Sequence, residues 1–179
     1  MTAVSKRITD VISTMQKLDT EWQRNPAGRD DPRSLPWMSF SWPDFIALVA
    51  EALPDAPGDK FLDVGCGIGS KMLLAKEIFG LDVQGIERVP GYVRQARELG
   101  LDALEQDALV FSGYDAYDIV WLNRPFSDPD LQVRMERKVQ EGMKSGAVFI
   151  GVNLLNRPPG DWWVVLDDWE VHRGIWQKP

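Results

Sequence analysis

The sequence predicts an α/β fold: a three-layer arrangement around a mostly parallel sheet that closes in a C-terminal antiparallel hairpin, preceded by N-terminal helices. Three observations predict it. From Lys60 onward, short apolar runs alternate with helical stretches, the pattern of βαβ units whose strands are covered on both faces. Glycines stand where the helices should stop. The run WWVVLDDWEVHRGIWQ supplies two further β-rich segments at the end of the chain.

Val4, Ile8, Val11, Ile12, Met15, Leu18 and Trp22 fall at helical spacing, so an amphipathic helix should come first and stop before the Pro/Gly/charge-rich stretch from Asn25 to Pro36. A second helix should start at Ser41, whose hydroxyl can cap a first turn containing Pro43 and Asp44, and should end at Pro54. Its apolar residues are Phe45, Ile46, Leu48, Val49 and Leu53. Strands are expected at 60–64, 82–86, 102–106, 118–122 and 147–152. Helices should fill about 69–79, 90–99 and 128–142, closed by Gly80, Gly100 and Gly142. Phe111 to Ala116 is too short and turn-rich for a full helix. After Val152, NLLNRPPG reads as loop, and the terminal hairpin should turn near Asp167 and Asp168. The expected organisation is one structural domain, with a helical extension or lid over 1–57 and a core over 58–179.

A length of 179 residues, 44% hydrophobic and 26% charged, suits one globular core and excludes global disorder or a fibrous repeat. The formal charge of −7 disfavours non-specific binding to nucleic acid and to anionic membranes. The groups Arg88, Arg94, Arg97 and Arg124, Arg134, Arg137, Lys138 read as solvated helix faces. Cys66 is the single cysteine and His172 the single histidine, so no intrachain disulfide and no Cys/His zinc site is expected, and no other metal site is read. A reducing, cytoplasmic location is the simplest expectation. No stretch approaches the roughly 20 apolar residues of a bilayer span, and MTAVSKRITD has no apolar signal core.

The strongest chemical signal is Phe61-Leu62-Asp63-Val64-Gly65-Cys66-Gly67-Ile68-Gly69, a strand followed by alternating glycines that open into a helix. Such glycines permit a sharp turn and close backbone approach, and the helix start offers free N–H groups, so a nucleotide-like ligand is expected. A dinucleotide fingerprint would want glycine at position 70, where this chain has Ser70. An empty strand-to-helix turn is the plainer alternative. Glu87 ends the second strand, where a carboxylate can take both ribose hydroxyls or serve as a surface acid. Asp107 ends the third, where it can accept from an adenine amino group or cap a loop. Asn123-Arg124-Pro125-Phe126 ends the fourth. All three stand at strand carboxyl ends, the ligand side of an open α/β sheet.

On these residues the chain resembles the class I S-adenosylmethionine-dependent methyltransferases, which are Rossmann-like. LDVGCGIG is similar to the family's first motif, GIER to its ribose-binding acid, QDA to its adenine-binding acid and YDIVWLNRPF to its fourth motif. The family usually places a helix where this chain has only NLLNRPPGD, and the expectation is that the N-terminal helix covers that face. The resemblance implies S-adenosyl-L-methionine as cofactor. Asp63 and the backbone of Gly65, Cys66, Gly67 and Gly69 would hold its methionine end, Glu87 with Arg88 its ribose, Asp107 with Ala108 its adenine, and Asn123 would border its methyl group.

The implied reaction is direct displacement at a sulfonium methyl, for which alignment and a dry pocket matter more than acid-base groups. That suits a chain with one histidine, and His172, in the predicted terminal strand, reads as structural. Cys66 reads as a small residue in a crowded turn rather than a nucleophile. NRPF is similar to the Asn-Pro-Pro-Phe form of enzymes acting on planar amines, with Arg124 in place of the first proline. On that likeness Asn123, Pro125 and Phe126 are the catalytic candidates, Asn123 accepting from the amine and Phe126 stacking on it; a loop that only closes the pocket is the alternative. Trp37-Met38-Ser39-Phe40 is a candidate lid. The acceptor is expected to be a small molecule or an amino group. Methylation of a nucleic-acid base or a protein, or a non-catalytic cofactor-binding subunit, is the alternative, and a homodimer is left open.

Overall fold

The computed structural model describes residues 3–24, 33 and 40–179. Helices are α1 (Ala3–Arg24), α2 (Trp42–Ala52), α3 (Ser70–Phe79), α4 (Pro90–Glu98) and α5 (Pro129–Gly142). Strands are β1 (Lys60–Val64), β2 (Asp82–Glu87), β3 (Asp102–Glu105), β4 (Ile119–Asn123), β5 (Val148–Val152), β6 (Trp163–Asp168) and β7 (Arg173–Gln177). They form one seven-stranded sheet in the order β3-β2-β1-β4-β5-β7-β6. The first five are parallel, and β7 runs antiparallel to both β5 and β6. The order of the strands reverses between β1 and β4, so the crevice of the fold opens above their carboxyl ends. Among the described residues, no helix is long and apolar enough to cross a membrane.

Local chemistry sets the helix starts. The Ser41 hydroxyl accepts from the Asp44 N–H (3.4 Å), and Asp128 Oδ1 accepts from the N–H groups of Asp130 and Leu131 (2.8 and 3.1 Å). Gly80 ends α3 in the left-handed region at φ 71°. A three-residue turn over Tyr114–Ala116 is all that follows β3. The sheet then separates two cores. Phe61, Trp121, Val148, Ile150 and Ile175 pack under α2, α3 and α4, while Leu62, Val120, Leu122, Phe149 and Trp176 pack under α5.

Three sequence expectations are corrected. The first helix does not replace the helix missing after β5: α1 lies on α3, as an extra layer over the first core, with Met15 buried there and Leu18 packed on Ile68, Val89 and Tyr92. The missing helix is replaced from within its own segment, where Leu154 and Trp162 fill the second core and the Trp162 indole meets Phe149 edge-on at 6.4 Å. Gly142 ends α5 as expected, as its last helical residue and without the left-handed backbone of Gly80, and the Tyr114 ring stands 2.9 Å from where its Cβ would be. The hairpin turns at Trp169–Val171, beyond the two aspartates, since Asp167 and Asp168 still pair with Gly174 and Arg173 across the strands. His172 therefore sits in that turn at φ 54°, not in a strand. Of the candidate lid, Trp37, Met38 and Ser39 lie outside the described residues, and Phe40 meets Trp121 edge-on at 5.4 Å.

Candidate functional site

β1 delivers Asp63 to the base of the crevice with 1% exposure, and among the described residues neither carboxylate oxygen has a hydrogen-bond partner. Burial raises its pKa to about 6, against the pull of Lys71 and with a further push from Glu87. A buried carboxylate without donors is costly, and it persists where a ligand supplies the missing charge.

The loop after β1 is built around left-handed backbone. Gly65, Gly67 and Gly69 have φ of 75°, 55° and 83°, which only glycine adopts without strain. The room left by their missing Cβ atoms is used partly by the protein itself. A Cβ on Gly65 would lie 2.7 Å from the Pro125 side chain, and one on Gly69 would lie 2.6 Å from Leu101 and 3.1 Å from Ala96. The loop after β4 thus rests on the glycine turn, and Gly69 lets α4 pack close. The Cys66 side chain is buried, with its thiol 3.7 Å from the Gly67 carbonyl, and burial pushes its pKa well above the ordinary thiol value. That keeps it protonated and unreactive.

Glu87, at the end of β2, is also buried, and both its oxygens serve the backbone. Oε2 accepts from the Gly67 N–H (3.0 Å) and Oε1 from the Val89 N–H (2.9 Å). Burial raises its pKa, while these bonds and the charge of Arg88 hold it back. The Arg88 N–H bonds to the same carboxylate, which leaves about one of its four acceptor positions for a further donor. Arg88 follows directly, half-buried.

Past β3, Asp107 Oδ1 accepts from the Leu109 N–H (2.9 Å) and Oδ2 pairs with Arg33 Nη1 (3.4 Å). The Ala108 carbonyl accepts from the Tyr114 hydroxyl (2.9 Å) and the Leu109 carbonyl from Lys138 (2.8 Å), which fixes this loop from below.

Asn123 ends β4 beside Val152 of β5, and its Oδ1 accepts from Asn153 Nδ2 (2.8 Å). Arg124 is held at φ 26°, an uncommon value for a residue with a side chain. Phe126 is 2% exposed and packs in the second core, its N–H donating to Gln132 Oε1 (3.2 Å). The ring thus anchors the loop on that core. Gln132 in turn donates to Glu136 (2.6 Å), and Glu136 accepts from the N–H groups of Leu155 (3.0 Å) and Asn156 (2.7 Å). One buried carboxylate therefore ties the loops after β4 and β5 together.

Asp63, the glycine loop, Glu87, Asp107 and Asn123 all stand at the carboxyl ends of four neighbouring strands, on one rim. Arg33, Asn153, Gln132 and Glu136 were not singled out from sequence. Asn153 follows a strand end like the others, and Gln132 with Glu136 breaks the apolar stripe of Leu131, Met135 and Val139, so those three had readable signals. Arg33 had none.

The model of one protein family, described as methionine biosynthesis protein MetW, matches residues 43–143, more than half of the chain. The chain is 32% identical over 149 residues to 2-methyl-6-phytyl-1,4-hydroquinone methyltransferase of Synechocystis sp., covering 76% of this chain and 43% of that protein. It is 42% identical over 53 residues to geranyl diphosphate 2-C-methyltransferase of Streptomyces lasalocidi, covering 27% of this chain and 18% of that one. It thus spans less than half the length of these curated relatives. In fold it is similar to an RNA methyltransferase from Salinibacter ruber solved with S-adenosyl-L-homocysteine, with a TM-score of 0.61 at 17% identity over 79% of this chain and 92% of that one. A sugar N-methyltransferase from Streptoalloteichus sp. gives 0.53 at 20% identity over 81% and 53%.

Proposed function

The chain belongs to the family described as methionine biosynthesis protein MetW and to the class I S-adenosylmethionine-dependent methyltransferases, and from that premise we propose that it transfers a methyl group to a small-molecule acceptor. The observation that carries this reading is Asp63, an unpartnered buried carboxylate under a left-handed glycine loop at the switch point of the sheet. Its charge fits the ammonium of a methionine-like group. S-adenosyl-L-methionine would supply an electrophilic methyl with a neutral sulfur leaving group.

The chain's own residues bind and align. Asp63 and the backbone of Gly65, Cys66, Gly67 and Gly69 take the amino-acid end, Glu87 with Arg88 the ribose, and Asp107 with Ala108 the adenine. Asn123 and Pro125 border the acceptor, and the buried Phe126 holds their loop on the core. Residues 1–57 act as a helical extension to the core of 58–179, with α1 bracing α3, the helix that the glycine loop opens into. Both curated relatives carry small molecules in their names, and the net charge of −7 weighs against a nucleic-acid acceptor.

The test is methyl-labelled cofactor incubated with the protein and a cell extract, the product being divided by size filtration, nuclease and protease. Label should appear in the small-molecule fraction. Asn123→Ala should lower that transfer by about ten- to a hundredfold, the value of one hydrogen bond to a group that gains charge, with cofactor affinity little changed. Label released by nuclease or protease would move the acceptor to a macromolecule, and no transfer beside normal cofactor binding would make the chain a binding subunit.

A further inference from the structure

We infer that Arg33 is a positioning residue for the adenine end of the site, a role that rests on the reading of Asp107 given above. Among the described residues, Arg33 touches two different loops. Its Nη1 lies 3.4 Å from Asp107 Oδ2, beyond β3, and its carbonyl accepts from the Ser127 N–H (3.1 Å), beyond β4. In the sheet order, β3 and β4 are separated by β2 and β1. At roughly 4.8 Å between neighbouring strands that is about 14 Å. Arg33 thus bridges the two loops that flank the ends of β1 and β2, where Gly65–Gly69 and Glu87 stand.

The two contacts act together on one carboxylate. An exposed ion pair by itself contributes little, because two long side chains must be held in one geometry against solvent. Here the backbone of Arg33 is already fixed by Ser127, so less freedom is lost when its guanidinium meets Asp107. On the other side, the Leu109 N–H holds Oδ1. With one donor on each oxygen the carboxylate plane is set, and about two of its four acceptor positions stay open. An adenine amino group then meets an acceptor already oriented for it, which lowers the ordering cost of binding.

The experiment is calorimetry of the full chain with S-adenosyl-L-homocysteine, for Arg33→Ala, Arg33→Lys, Asp107→Asn and the double variant Arg33→Ala/Asp107→Asn. Arg33→Ala should weaken binding about five- to tenfold, and Arg33→Lys should recover most of that. In the Asp107→Asn background, removing Arg33 should change nothing further, because its effect passes through that carboxylate. Unchanged or tighter binding by Arg33→Ala, or penalties that multiply in the double variant, would overturn the inference. If the unmodified chain bound no S-adenosyl-L-homocysteine, the cofactor reading itself would fail, and that result is distinct from both.

Discussion

Asp63→Asn should stabilise the ligand-free protein at pH 8 and at the same time remove most of its cofactor affinity. The sign follows from the raised carboxyl: about 6 in the folded chain against 3.8 when unperturbed. Between those values the folded state holds the proton more tightly than the unfolded one, so stability falls as pH rises through that window. Above pH 6 the full cost of the buried charge, about 3 kcal/mol, is present. Asparagine keeps the shape and carries no charge. It should recover up to that amount at pH 8, less what its own unpaired amide costs, with the gain fading toward pH 4. Losing one partner of a buried charge pair costs about 2–5 kcal/mol, so cofactor affinity should fall roughly thirtyfold or more. In the unmodified chain, affinity should also drop about tenfold per pH unit below the Asp63 pKa of about 6, since binding requires the ionised form. Melting curves at pH 4.5 and 8, with calorimetry of both proteins, read all of this. Equal affinity in Asp63→Asn would show that no cationic group sits on this carboxylate.

Glu87→Ala should act twice, once on the loop and once on the ligand. The N–H groups of Gly67 and Val89 lose their acceptor, at about 1–3 kcal/mol for each buried donor left unpaired. The melting temperature should therefore fall even without cofactor. The ribose contact adds about 1.5–3 kcal/mol to the loss of binding, tenfold or more in affinity. A folded Glu87→Ala chain with unchanged affinity would leave Glu87 as a brace for the glycine loop and nothing else.

The sheet was readable because its signals are local. Each of the five parallel strands lies within one residue of its expected bounds at each end, since buried parallel strands are continuous apolar runs bounded by turn residues. The errors came where a residue's role depends on a distant partner. Asp167 and Asp168 look like turn residues, yet the Asp168 carboxylate is held by Arg173 at 2.9 Å across the hairpin. The apolar stripe of α1 showed that the helix must pack and gave no information on which face. The rim acids and the glycine loop were legible from strand ends alone. That the Phe126 ring turns inward, or that Arg33 reaches Asp107 from 74 residues away, depends on tertiary placement that no local pattern encodes.

The central claim is that the glycine loop with Asp63 and Glu87 forms a site for a methyl donor, not for a dinucleotide. Ser70 stands where the dinucleotide pattern has its last glycine, and the helix packing that such a glycine allows is provided here by Gly69 against Leu101 and Ala96. Calorimetry of the unmodified chain against S-adenosyl-L-methionine, S-adenosyl-L-homocysteine and a nicotinamide dinucleotide tests this most directly. The first two should bind at one site per chain and the dinucleotide should not. Saturable dinucleotide binding with no heat from either S-adenosyl compound would contradict it.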